Sequence, residues 1–393
     1  MTEYMERYGI CEKDAILCAM SGGVDSTIAA YMLKESFDVP IIGATHYIWP
    51  DSRCCSLDVT DRARATCEKL GIPYHVIDLQ EEFRRYVVDN FVETYLEGKT
   101  PNPCILCNEK IRFDIFYNTV LGMLKKDGIL KEGGRLFMAT GHYARTGIIN
   151  GKVFLKRGVD PVKDQSYMLY RLSGAILSRL ILPLGGYRKS EIFAIAEKLG
   201  LAVRHVAESQ DACFVGESYS DFILKEARDK IGERVKELSS PGPIVTVDGK
   251  VLGHHTGYLN YTIGQRRGLN LGNGPWYVER IDSRSNTVVV ARREDTVKKS
   301  FTVERINWFI ERPDGPIDCT VKVRYQSELI PCRVFPERND SGDDSGEDNV
   351  LSNDMVRVEM ERGEFVTPGQ SAVFYSDDLV IGGGFITSPT GSR

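Results

Sequence analysis

The chain lacks any apolar run near the roughly 18 residues that cross a bilayer, so no membrane partner is expected. Its first residues, MTEYMERYGICEKD, have neither the apolar stretch of a secretory signal nor the arginines of a transit peptide, and the expectation is a cytoplasmic protein. Cysteine is too sparse for a disulfide scaffold, with ten among 393 residues. In a reducing compartment, clustered cysteines serve catalysis or metal binding more often than bridging. An excess of positive charge is missing too. Fifty Lys and Arg against 55 Asp and Glu give a net charge of −5, which argues weakly against a nucleic-acid partner. One segment dominates that figure: residues 337–354 carry seven acids and one base, a local −6, which leaves +1 on the rest. A near-neutral body can still hold a basic face. The segment, which opens ERNDSGDDSGEDN, is rich in Ser, Gly and Asp and reads as a disordered surface loop. With 42% hydrophobic and 27% charged residues, the remainder is neither disordered nor collagen-like, and its length suggests about two or three domains.

The first half alternates strand and helix patterns. Residues 15–20 (AILCAM), 39–46, 72–79 and 136–140 are apolar runs of the kind that make buried parallel strands. A helix is expected over 27–35, and another over 58–70, closed by Gly71. Two more helices should flank an extended PNPCILCN loop. This alternation predicts an α/β fold with a parallel sheet. After about residue 215 short β-rich runs take over (PIVTVDG, WYVERID, NTVVVAR, TVKVRY, PCRVF, VRVEM, SAVFY, LVIGGGFI), which suggests a small barrel or sandwich. The expected domains are a catalytic one at 1–215, a central linker-like one at 216–295 and a C-terminal β-barrel at 296–393.

Two motifs carry chemistry. Ser21-Gly22-Gly23-Val24-Asp25-Ser26 lies between a strand and a helix. Its glycines let the backbone approach an anion, successive N–H groups form an anion nest, and the helix N-terminus adds its dipole. Ser21 and Ser26 hydroxyls can donate to phosphate, and Asp25 can hold Mg²⁺. It is not a Walker P-loop, because the lysine is absent. SGG alone fits an ordinary turn as well as an anion loop; the whole motif after a buried strand is much more specific. The second motif is Pro101-Asn102-Pro103-Cys104-Ile105-Leu106-Cys107-Asn108, joined about a hundred residues later by Cys213 in SQDACF. The C-x-x-C pair with Cys213 is either a redox site or a three-thiolate metal site. Zinc wants a fourth ligand, and no second C-x-x-C supplies it. Cys54 and Cys55 are sulfur relays or packing residues. Cys11, Cys18, Cys67, Cys319 and Cys332 are expected simply to pack. Arg266-Arg267 taken alone is a solvated surface pair, and His254-His255 has no metal spacing.

SGGVDS resembles the pyrophosphate loop of the N-type ATP pyrophosphatases. Together with PNPxxxCN, Ala139-Thr140-Gly141-His142-Tyr143, Lys163-Asp164-Gln165-Ser166-Tyr167, Cys213-Phe214-Val215-Gly216, the YTIGQRRGL run at 261–269, Arg324-Tyr325, the TPGQSA run at 367–372 and Gly382-Gly383-Gly384, the chain is similar to the bacterial tRNA-specific 2-thiouridylase family (MnmA type) over nearly its whole length. The resemblance implies an enzyme that adenylates the C2 oxygen of the wobble uridine in tRNA with ATP and Mg²⁺, then replaces that oxygen with sulfur from a donor protein or a sulfide source. It implies that Ala19, Met20, Ser21, Gly22, Gly23, Val24, Asp25, Ser26, His46 and Gly141 line the nucleotide, though the family residue at His46 is often apolar. It implies that Cys213 carries a persulfide and that Cys107 is its catalytic partner, assisting attack or resolving the persulfide as a disulfide. Asn102, Pro103, Cys104, His142, Lys163, Asp164, Gln165, Arg324, Tyr325 and Gln370 would contact tRNA. Many members have Asp where this chain has Cys104. That departure leaves a second reading open, in which Cys104, Cys107 and Cys213 hold three irons of a [4Fe–4S] cluster whose fourth iron delivers sulfide. Other pyrophosphate-loop enzymes, which make GMP, argininosuccinate, asparagine or NAD, have no use for a cysteine trio followed by a barrel. A non-catalytic tRNA-binding or iron–sulfur protein would not need the loop intact.

Overall fold

The computed structural model describes residues 8–50, 57–201, 212–216, 218–232, 235–337 and 355–389. The acidic run at 338–354 and Cys54-Cys55 lie outside the described residues. Two compact units are present. One holds 1–87, 104–214 and 378–380; the other holds 88–103, 215–377 and 381–393.

The first unit is built on a five-stranded parallel sheet of β1 (Ala15–Ala19), β2 (Ile41–Tyr47), β3 (Tyr74–Asp78), β4 (Leu136–Ala139) and, following the antiparallel hairpin of β5 (Ala144–Ile149) and β6 (Lys152–Arg157), β7 (Leu180–Ile181). Strand order is β3-β2-β1-β4-β7. β1 is central and buried at every residue, as its unbroken apolar sequence requires. β2 and β3 start just after Pro40 and Pro73, later than the apolar pattern suggests. Proline has no N–H for the ladder, and its carbonyl accepts from the neighbouring strand instead: Ile16 N–H donates to Pro40 O at 2.9 Å and Gly43 N–H to Pro73 O at 2.8 Å. The helix Val24–Lys34 packs Ile28, Ala29, Ala30 and Leu33 inward. The helix Leu57–Leu70 ends at Gly71 with φ +63°, the left-handed residue expected there.

The helix after β1 begins at Val24, three residues earlier than the apolar spacing predicts. The Val-Asp-Ser half of the motif is therefore its first turn. PNPCILCN also departs from expectation. Pro103 opens a helical turn, Pro103–Leu106, that runs directly into a π-helix, Cys107–Phe116. Proline suits a first helical position because that N–H needs no partner. Cys104 and Cys107 thus lie on helical turns rather than in an extended loop.

In the second unit, β8 (Gly242–Thr246), β9 (Val251–His255), β10 (Tyr277–Asp282) and β11 (Thr287–Ala291) form a sheet in the order β10-β11-β8-β9. Six further strands, β12 (Lys298–Trp308), β13 (Ile317–Lys322), β14 (Ile330–Glu337), β15 (Met355–Glu364), β16 (Ser371–Ser376) and β17 (Leu379–Pro389), pair in the order β12-β15-β14-β13-β16-β17. β12 also pairs with β17, which closes the barrel. The alternating β14 pattern, Ile330, Cys332 and Val334 in and Pro331 and Arg333 out, shows the period of two that makes one face core. The architecture is therefore α/β, with a parallel-sheet unit followed by a small sheet and a closed six-stranded barrel.

Candidate nucleotide and sulfur-transfer site

β1 leads to β2 and β3 on one side of the sheet, while β4 and β7 lie on the other. The crevice beyond the carboxyl ends of β1 and β4 is where such sheets bind ligands. SGGVDS follows β1, and Thr140-Gly141-His142-Tyr143 follows β4. The two loops interlock there. A Cβ on Gly141 would lie 3.0 Å from the Asp25 carbonyl carbon, the Asp25 Cβ and the Ser26 nitrogen, so only glycine fits without displacing a neighbour.

The loop is held from inside. Gly22 has φ +62°, and a Cβ there would stand 2.6 Å from the Val59 carbonyl oxygen. Ser26 is buried; its hydroxyl donates to Gly23 O at 3.0 Å and accepts from Ser21 N–H and Ser21 Oγ, both at 3.2 Å. Ser26 therefore shapes the loop and does not present a free proton to phosphate, whereas Ser21 is exposed. The helix from Val24 has no side-chain cap, so its first N–H groups, which have no intrahelical acceptor, remain for an anion. Ala19 and Met20 are buried beneath the loop. Met20 N–H bonds Ala44 O at 2.8 Å, and Thr45 Oγ1 donates to Met20 O at 2.6 Å. These bonds fix the backbone that leads into the loop.

Sequence reasoning did not find Lys189. Its Nζ lies 2.7 Å and 2.6 Å from the two Asp25 oxygens, and Tyr143 OH donates to Asp25 Oδ1 at 2.7 Å. Lys189 opens the helix Lys189–Lys198 and lies over the rings of Tyr143 and Phe193 at 5.4 and 5.0 Å. The motif lacks the lysine of a Walker loop, and the fold brings a cation to it from a distant helix. A Mg²⁺ ion on Asp25 would have to displace Lys189.

His46 is 4% exposed, against Phe116 at 5.2 Å between ring centres. It lies on β2, the strand next to β1. His142 bonds Thr140 Oγ1 through Nδ1 at 2.8 Å and Arg112 Nη1 through Nε2 at 3.3 Å. Arginine can only donate, so Nε2 accepts and Nδ1 carries the proton. Burial, then the charges of Arg112 and His46, push the His142 pKa down to about 3, so it stays neutral. Arg112 also donates to Asn108 Oδ1 at 2.6 Å, and Asn108 Nδ2 donates to Met168 O at 3.1 Å. The residue after Cys107 is thus tied to both the 140–143 loop and the 166–169 turn. These three ties hold the helix that carries Cys107.

Cys104 is exposed; Cys107 and Cys213 are half-buried, all as thiols. Cys213 is anchored by Phe214, which packs edge-on against Phe83 at 5.4 Å and Trp49 at 6.2 Å. Among the described residues no group of three or more His, Cys, Asp or Glu side chains could hold a metal ion.

Several expected tRNA contacts have structural partners. Asp164 is buried and accepts from Gly158 N–H at 3.0 Å, Ser166 N–H at 3.1 Å and Arg157 Nε at 3.2 Å. Gln165 accepts from Tyr143 N–H at 2.9 Å. Lys163 is half-buried beside them. In the second unit Gln370 Nε2 donates to Thr100 O at 3.0 Å and Pro101 O at 3.3 Å, and Thr100 N–H donates to Pro368 O at 2.9 Å. That clasp fixes the chain just before Asn102 and Pro103. Arg324 donates to Phe365 O at 3.2 Å and Thr367 Oγ1 at 3.3 Å, next to the half-buried Tyr325.

Residues 14–217 match the family described as tRNA methyl transferase HUP domain, 229–292 the tRNA methyl transferase PRC-barrel domain, and 298–386 the aminomethyltransferase beta-barrel domain. The tRNA-specific 2-thiouridylase MnmA of Geotalea uraniireducens is 39% identical over 390 residues, 95% of either chain. That of Clostridium perfringens strain 13 is 37% identical over 389 residues, 96% of this chain and 99% of the relative. The tRNA-specific 2-thiouridylase MnmA 2 of Thermoanaerobacter sp. strain X514 is 40% identical over 386 residues, 94% of this chain and 97% of the relative. A pyrophosphate loop clasped by the strand-end loop beside it, cysteines anchored in the same unit and full-length kinship with these enzymes agree: the chain belongs to the tRNA-specific 2-thiouridylase (MnmA) family.

Proposed function

We propose that this chain is a tRNA-uridine 2-sulfurtransferase acting in the cytoplasm with ATP, Mg²⁺, tRNA and an external sulfur donor. The observation that carries the reading is the interlock of SGGVDS with Gly141 and Lys189 at the switch point of the sheet.

Uracil C2 bears an oxygen that leaves poorly. The uridine O2 attacks the α-phosphorus of ATP and pyrophosphate departs. The uncapped helix N-terminus and the glycine backbone receive its phosphates, where preorganised donors stabilise developing charge. Lys189, released from Asp25, balances that charge, and Asp25 would then hold Mg²⁺, which neutralises phosphate oxygens. The outer sulfur of a Cys213 persulfide attacks C2 and AMP leaves. Cys107 thiolate attacks the Cys213 sulfur, breaking the S–S bond. The transferred sulfur stays on C2, a Cys107–Cys213 disulfide forms, and an external thiol reduces it.

The alternative reading places a [4Fe–4S] cluster on Cys104, Cys107 and Cys213, and no step above is routed through one. The experiment that tests this choice is iron and acid-labile sulfide per chain on anaerobically purified protein, beside Cys104→Asp. The persulfide route predicts sub-stoichiometric iron and thiolation that survives Cys104→Asp. Near-stoichiometric cluster iron that the variant loses would overturn it.

A further inference from the structure

Two cysteines outside the proposed chemistry face each other across the barrel sheet. Cys319 on β13 and Cys332 on β14 are direct partners across an antiparallel pair, and their sulfurs lie 3.5 Å apart. Opposed residues in such a pair have Cα atoms about 4.5 or 5.5 Å apart, and both values fall in the range of about 4.4–6.8 Å that a disulfide spans. Both side chains point to the inner face of the barrel, in line with Val334 and Ile330. Cys332 is 6% exposed and faces Met360 on its other side, whereas Cys319 is half-buried. Cys319 is thus the thiol a small reagent reaches, and Cys332 waits behind it. The hydrogen bond from Cys319, then burial, push the Cys332 thiol up, so it is not the first sulfur to react.

We propose that Cys319 and Cys332 are a dithiol modification site that small disulfides oxidise to a cross-strand disulfide within the barrel. Cys319 thiolate attacks one sulfur of a disulfide such as oxidised glutathione. That S–S bond breaks, one glutathione thiolate leaves and a mixed disulfide forms on Cys319. Cys332 loses its proton to solvent and attacks the Cys319 sulfur, expelling the second glutathione. The protein loses two hydrogens and two electrons, and one glutathione disulfide becomes two thiols. The sulfurs must close from 3.5 Å to about 2.05 Å, which side-chain rotation supplies without moving strands already in register. The site stands apart from the sulfur-transfer reading and does not depend on it.

The test treats the full chain with oxidised glutathione, blocks remaining thiols with N-ethylmaleimide after unfolding, and maps peptides without reduction. The expected result is a peptide pair joined through Cys319 and Cys332, absent in Cys319→Ser, and returned to two thiols by dithiothreitol. Cys332→Ala, a second variant should Cys319→Ser fold poorly, is expected to trap glutathione on Cys319. Thiolation by either variant under reducing conditions should equal that of the parent chain. The proposal is overturned if both cysteines carry N-ethylmaleimide while exposed Cys104 has been oxidised, if glutathione stays on Cys319 of the parent chain, or if Cys319 is found joined to another cysteine.

Discussion

Replacing Lys189 by Met removes the cation that holds both Asp25 oxygens at 2.6 and 2.7 Å. The two side chains are 15% and 28% exposed, so solvent screens the pair only in part. Opposite charges about 4 Å apart attract by ~4 kcal/mol at an effective dielectric near 20. Ordering and desolvation of a partly exposed pair leave about 0.2–1 kcal/mol of that as stability. The catalytic loss should be larger. A preorganised group facing charge that develops in the transition state is worth about 2.7–4 kcal/mol, or roughly 10²–10³-fold in rate. The assay is tRNA-dependent pyrophosphate release under saturating ATP, with thermal unfolding measured in parallel. Lys189→Met is expected to lose that rate while keeping most of its stability, and Lys189→Arg to keep much of the rate because the charge remains. A Lys189→Met enzyme within about twofold of the parent rate, with unchanged KM for ATP, would refute the role assigned to this lysine.

Gly22→Ala should cost ~2–4 kcal/mol, combining a left-handed alanine with overlap against the Val59 carbonyl; an unchanged midpoint of thermal unfolding would contradict this. Cys107→Ser and Cys213→Ser should each abolish 2-thiouridine formation with the fold intact by circular dichroism, and parent-like activity in either would remove it from the site. His142, held down to about 3 when folded, against about 6.5 when unfolded, binds its proton only in the unfolded chain between those values. Stability is therefore fully present above about pH 6.5 and lost as pH falls toward 3, with a slope of up to about 1.4 kcal/mol per pH unit. His142→Gln should flatten that slope in denaturant titrations across pH 4–6, and an identical slope would show that another group sets it.

Features encoded by local pattern were legible in the sequence. β1, the sheet alternation and most barrel strands follow from apolar runs and period-two spacing, and SGGVDS announces itself by composition. What was hidden depends on residues brought from far along the chain. Lys189 stands 164 residues from Asp25, at the start of an unremarkable amphipathic helix. The bonds of Ser26 within its loop and of Gln370 to Thr100 and Pro101 come from backbone geometry that residue type alone does not reveal. The prolines of PNPC suggest an extended loop, whereas Pro103 starts a helical turn where its missing N–H costs nothing. The facing of Cys319 and Cys332 is set by strand register, which spacing along the chain does not reveal.

The central claim is tested most directly by incubating the chain with unmodified tRNA, ATP, Mg²⁺ and a persulfide donor, then digesting the tRNA to nucleosides for mass spectrometry. The account predicts 2-thiouridine at the wobble position, with one AMP and one pyrophosphate for each sulfur inserted and no ATP cleavage when tRNA is left out. ATP cleavage that ignores tRNA, or tRNA that gains no sulfur while ATP is consumed, would contradict it.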